Sequence, residues 1–234
     1  MNKDGEKVNK AQLKENERCL KDFQWERLAP MTFDTCTTAD RKGRVQRAKE
    51  RTETQDVRKC DSLDVPPPFA YTDSATVNTA AVNGALALTY EIFGGPALLD
   101  AGLVTKADNK HTAKCQLEML KRADKLEDTV LKEVIKAKKK ALRDETVNSS
   151  AALEARLQAV LSSNVRINRT QATLVKRVDR KCGGLPADPD AIFPGACGEG
   201  DPSLGEVEAC VIAAARYEAC LKINAFDDLN LDCD

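Results

Sequence analysis

The stretch KHTAKCQLEMLKRADKLEDTVLKEVIKAKKKALRDE, residues 110–145, decides the fold. Met119, Ala123, Leu126, Val130, Val134, Ala137 and Ala141 recur at spacings of three and four, with no glycine or proline between them. That is the period of one face of an α-helix. At 1.5 Å per residue such an arm is on the order of 50 Å long. Asn148-Ser149-Ser150 follows, residue types that turn a chain and cap the next helix. Leu153, Leu157, Val160, Ile167, Leu174 and Val178 then mark a return arm, which Cys182-Gly183-Gly184 stops. In an antiparallel pair, residues equidistant from the turn lie side by side, so a disulfide between Cys115 and Cys182 is expected to close the open end.

Working outward, the other cysteines extend this reading. The 234-residue chain has nine, with no CxxC and no Cys/His cluster, which fits an oxidising compartment better than the cytosol. Cys19 and Cys60 flank a shorter, more polar hairpin whose arms are expected over 8–28 and 40–60. Pro30 stops the first arm, Cys36 lies in the loop, and a Cys19–Cys60 bridge is expected to tie the pair. Glu17-Arg18-Cys19-Leu20-Lys21 resembles Ala113-Lys114-Cys115-Gln116-Leu117, and Val57-Arg58-Lys59-Cys60 resembles Asp179-Arg180-Lys181-Cys182. The two hairpins thus read as diverged copies of one disulfide-closed unit. Cys197, Cys210, Cys220 and Cys233 bracket a helix expected over 206–222. Both 197–210 with 220–233 and 197–220 with 210–233 fold the flanking coils onto it. Cys36 is left over as a candidate intermolecular thiol.

Four segments follow from this pass: a short hairpin over 1–65, a Pro-rich linker and apolar helix over 66–109, the long hairpin over 110–184, and an acidic Cys-rich cap over 185–234. In the second, Val77, Ala81, Ala85, Leu88 and Ile92 form an apolar helical stripe, ended by Gly94-Gly95-Pro96. The fold class is all-α, built of disulfide-closed antiparallel helical hairpins, one long and coiled-coil-like, with a small C-terminal cap. Aromatic content of 4% and charged content of 31% agree with long helices carrying narrow apolar stripes.

The pattern also resembles a loose group of secreted, cysteine-rich helical proteins of environmental bacteria. The residues that carry the likeness are Pro67-Pro68-Phe69-Ala70-Tyr71-Thr72, Lys114-Cys115-Gln116, the run from Cys220 through Asp228, and Asp232-Cys233-Asp234. The resemblance implies paired helices that begin near a Lys-Cys-Gln and end in Lys-Cys, and it implies no active site.

Chemistry is sparse. Residues 183–234 carry a formal charge of −9, leaving +8 on the rest of the chain. That polarity can drive head-to-tail self-association or meet a protein partner, though surface charge mostly serves solubility and two solvated surfaces are the plainer reading. The net charge of −1 gives no global basic footprint for nucleic acid. The basic run Lys132–Arg143 could meet an anionic polymer or the acidic tail of a second molecule, but it has no interleaved aromatics to stack bases and reads first as the solvated face of a long helix. Asp228, Asn230, Asp232 and Asp234 alternate as the early ligands of a calcium loop do, but Cys233 stands where such a loop needs glycine. They form a weak candidate calcium site, and no other cofactor is expected. His111 is the single histidine, at the start of a helix, and reads as a surface residue. Gly198-Glu199-Gly200-Asp201 is a turn whose acids repel phosphate. No GxSxG, HExxH or Walker loop is present, so no catalytic residue is named.

No run approaches the roughly 18 apolar residues that span a bilayer. Met1–Lys7 has no apolar leader core, and a leader is taken to have been removed. The expectation is a secreted structural or interaction protein, a subunit of a cell-surface or extracellular assembly or fibre. The alternative is a periplasmic or extracellular module that binds calcium or a small ligand.

Overall fold

A computed structural model describes residues 2–61, 68–96, 100, 102–184, 192–200 and 202–233. Their regular structure is entirely helical. In chain order the α-helices are α1 (Asn2–Gln24), α2 (Phe33–Thr38), α3 (Arg44–Asp56), α4 (Ser74–Phe93), α5 (Lys110–Arg143), α6 (Ser150–Ser163), α7 (Val165–Cys182) and α8 (Leu204–Asp227). A π-turn, Val57–Asp61, extends α3, and a 3₁₀ turn, Ala196–Gly198, precedes α8.

The long hairpin forms as its sequence dictates. Asn109 accepts from the backbone N–H groups of His111 and Thr112 and starts α5, which then runs 34 residues. Ser149 accepts from Ala152 N and starts the return. The return is two helices rather than one. Asn164 ends α6 and caps α7, its side chain accepting from Arg166 N and Ile167 N. An asparagine that satisfies the first amides of a new turn competes with helix continuation. The register still holds: Arg166 Nη1 lies 3.1 Å from Glu133 Oε1, and the Cys115–Cys182 disulfide closes the far end.

The first hairpin is closed differently. Cys19 is bonded to Cys36, and Cys60 is in none of the four disulfides. The reason is register. Arg51 Nε lies 3.9 Å from Asp4 Oδ1 across α1 and α3. That pairing carries Cys60 past the first turn of α1, whereas Gln12 Nε2 on Thr37 O and Arg41 Nη2 on Asp22 Oδ2 set α2 and the turn after it against the second half of α1, with Cys36 beside Cys19. The expected polar loop is also structured. Thr32 caps α2, Phe33 and Cys36 are buried, and Gln12 Nε2 donates to Thr37 O at 2.8 Å. Asp40 accepts from the amides of Arg44, Val45 and Gln46 to start α3. The end of α3 is tied through Asp56, whose carboxylate accepts from Tyr71 Oη and Ser74 N. The first hairpin therefore does not repeat the clasp of the second.

The core is shared. α1 and α4 run one way and α5 and α8 the other, with α3 against α1 and α6–α7 against α5. One cluster of buried side chains runs through all four segments. Val77, Ala81, Ala85, Leu88 and Ile92 are fully buried, as the stripe on α4 predicts. Asn16 anchors α1 to α4, donating to Ala85 O and Thr89 Oγ1. α8 is longer than the sequence suggested, because a Ser203–Glu206 capping box starts it early and Asp228, in the left-handed region, ends it late. It buries Val207, Val211, Ala215, Ala219, Ile223 and Phe226 between α4 and α5.

Close approach explains the glycine near the start of α1. A Cβ on Gly5 would lie 2.5 Å from Val77 Cγ1 and 2.9 Å from Phe226 Cε2. The C-terminal disulfides are Cys197–Cys210 and Cys220–Cys233, the first of the two pairings expected to fold the flanking coils onto the helix. Gln116 is fully buried and gathers the loops beside this region, donating to Gly102 O and Ile192 O and accepting from Val104 N.

Candidate functional site

Charge is distributed unequally between inside and outside, and this distribution defines the molecule's chemistry. Two lysine–carboxylate pairs are buried where α5 meets α8. Lys222 Nζ lies 2.6 Å from Glu127 Oε1, with both side chains essentially inaccessible. Eleven residues further along α5, Lys138 Nζ is paired with Asp227 and also donates to Ala70 O and Asn2 Oδ1. The polarity of the pairs is reversed, acid from α5 in one and from α8 in the other. Gly84 makes room for the first: a Cβ there would lie 2.6 Å from Lys222 Nζ.

Further carboxyls share this interior. Asp124 is buried, and neither of its oxygens has a hydrogen-bond partner. Burial pushes its pKa well above the usual range, and Glu17 and Glu127 add to the effect. Burial also raises Glu127, despite the opposing pull of Lys222, and raises Asp227 despite Lys138. These groups fix helix positions. Among the described residues none is hydrogen-bonded to a histidine, a hydroxyl or a thiol, and no three metal-ligating side chains converge as a metal would require.

The outside is different. α7 buries only Ile167, Leu174, Val178 and Cys182 along its length. Arg169, Lys176, Arg177 and Arg180 are exposed, and among the described residues none is in an ion pair. A second cationic face lies where α1 and α5 run side by side. Lys10, Lys14, Lys121, Arg122 and Lys125 line an open groove of about 340 Å³ with Leu13, Glu17, Asp124 and Asp128. At the end of α1 the indole of Trp25 is 53% exposed. Lys106 Nζ lies 3.8 Å from its centroid and the Arg27 guanidinium 5.4 Å.

The residues singled out in the sequence fall as follows. Cys36 is not an available thiol, since it is fully buried in the bond to Cys19. Cys60 sits half-buried in the π-turn. Asp228 is the exposed C-cap of α8, Asn230 N donates to Glu154 Oε1, and the Asp232 carbonyl accepts from Gln158. Asp234 lies outside the described residues. His111 is exposed in the first turn of α5. The run Lys132–Arg143 is not one solvated face, because Lys138 turns inward while Lys136, Lys139 and Lys140 face solvent.

Sequence reasoning missed the buried pairs and the Trp25 cluster. Only the cluster had a local signal, Trp25 followed two residues later by Arg27.

The four disulfides fit an oxidising space, extracellular or periplasmic. Among the described residues no helix is long and apolar enough to cross a membrane. No family model matches the chain, and no curated protein or solved structure matches it.

Proposed function

We propose that this is a secreted structural or interaction protein, a subunit of an extracellular or cell-surface assembly that works by presenting a rigid charged surface. The observation that supports the reading best is α7. It is an outer helix fastened by one narrow stripe and one disulfide, and it shows a row of arginines and a lysine without ion pairs among the described residues. Such a helix packs one stripe of four residues into the core and leaves the rest of its surface suited to an acidic partner. The acidic C-terminal region offers Glu199, Asp228 and Asp232 on its exterior, while Glu208 and Asp227 are buried. Contact between α7 of one copy and the C-terminal region of the next is therefore the simplest assembly. Sedimentation across a concentration series tests it. Association at low salt that high salt reverses supports the reading, and a monomer at every salt and concentration overturns self-assembly.

A further inference from the structure

The α1–α5 face has an observation of its own, separate from α7. Lys10, Lys14, Arg27, Lys106, Lys110, Lys114 and Lys121 are in no ion pair among the described residues. Three of the acids nearby are paired with other cations, Glu17 with Lys21, Glu118 with Arg122, and Asp128 with Lys132 and Lys125, which leaves Asp108, Glu26 and the buried Asp124 against seven unpaired cations. Backbone geometry brings the cations together. Gln24 Nε2 donates to Ala113 O, Lys106 N donates to Gln24 O, and so the segment before α5 folds back onto the end of α1. Lys121 links this end to the groove that holds Lys10 and Lys14. From Lys110 to Lys125 the face extends about 22 Å along α5.

We propose that this face is a binding site for a linear acidic polysaccharide, carboxylated or sulfated. A repeated row of anions would neutralise the uncompensated lysines. Partial burial and then the repulsion of Lys114, Arg27, Lys110 and Lys121 lower the pKa of Lys106, and a bound anion relieves that repulsion. Lys106 and Arg27 already lie against the Trp25 ring, so it positions cations and is a poorer platform for base stacking than an unoccupied ring. That argues for a polymer recognised by charge spacing over single-stranded nucleic acid. The oxidising compartment argues the same way.

Trp25 is the single tryptophan and reports its own site. Titration of the intact, disulfide-bonded chain with dextran sulfate and with polygalacturonate, followed by tryptophan emission, should show saturable binding that weakens as salt rises. Neutral dextran should give no change, and poly(dT) should bind more weakly than either acidic polymer. Lys114→Ala with Lys121→Ala should weaken binding about tenfold, and Arg177→Ala with Arg180→Ala on α7 should leave it within about twofold. No saturable change with either acidic polymer overturns the proposal. So does poly(dT) binding as tightly, or an equal loss from the α7 pair, which would reduce the effect to general charge attraction. None of these outcomes depends on whether the protein self-associates.

Discussion

α7 and α8 both pack against α5, and they are held to it by opposite means. α7 runs antiparallel, meets α5 through an apolar stripe, and has its register fixed at the ends, by Cys115–Cys182 and by Arg166–Glu133. α8 runs parallel and has its register fixed from within, by Lys222–Glu127 and Lys138–Asp227. Where only one face is covered, the chain uses a covalent bond and leaves charge outside. Where both faces are covered, it buries charge in reciprocal pairs. A slip of α8 along α5 would separate both pairs at once and strand four ionisable groups in the interior. A slip of α7 would cost apolar contact that neighbouring positions partly replace. Buried pairs act here as register devices, a role that buried polar groups serve in helical bundles.

The largest expected effect comes from breaking one internal pair. Lys222→Met leaves Glu127 beside Asp124, two buried carboxyls without a cation, and should cost about 4 kcal/mol in urea unfolding. Adding Glu127→Leu removes the stranded acid and should return the protein to within about 1 kcal/mol of the parent. If the double substitution is as damaging as the single, the pair is not acting as a coupled unit and the contrast with α7 fails.

Removing the external clasp should cost somewhat less. The Cys115–Cys182 bond closes a separation of 67 residues, for which chain entropy sets a limit of about 4 kcal/mol. Cys115→Ala with Cys182→Ala should lose about 3 kcal/mol, because α5 and α7 keep their apolar stripe in its absence. Hydrogen exchange sharpens the test. Protection should fall first in α7 and little in α8, whose register does not depend on the clasp. Equal loss in both helices would show that the covalent bond organises the whole bundle.

This contrast also marks what the sequence makes legible. The stripe Met119–Ala141 announces α5, and Val77–Ile92 announces α4, because periodic apolar residues need no knowledge of their partner. Cys115 opposite Cys182 follows from one turn signal, since two long arms share a simple geometry. The same logic fails for Cys19, because α2 occupies the loop and shifts the register so that Cys36, not Cys60, comes opposite. Lys138, Lys222, Glu127 and Asp227 are indistinguishable in sequence from solvated charges. Their burial is decided by α8, whose apolar positions alone suggest a short cap. The break at Asn164 is a local cap that competes with a continuing stripe, and only packing settles such a contest. The Trp25 cluster depends on a fold-back that no periodicity encodes.

The smallest effect lies where the two helices meet. Glu208 of α8 is buried, its Oε1 has no hydrogen-bond partner, and burial followed by the repulsion of Asp179 on α7 pushes its pKa from 4.5 up to about 7. The folded state therefore holds a proton that the unfolded chain releases. Below about pH 4.5 both states are protonated and the group is neutral toward stability. As pH rises toward 7 the unfolded chain binds fewer protons, so stability falls across that window and levels above it. Glu208→Gln removes the dependence. The fold can relax around the ionised carboxylate and recover part of that cost, so the variant should gain only about 1 kcal/mol at pH 8 and nothing at pH 4. Urea unfolding of both proteins at the two pH values measures that difference directly and cancels the contributions of Asp124, Glu127 and Asp227, which both chains retain. A gain that is the same at both pH values would mean that Glu208 titrates in the fold as it does in the unfolded chain, and that burial beside Asp179 does not hold its proton.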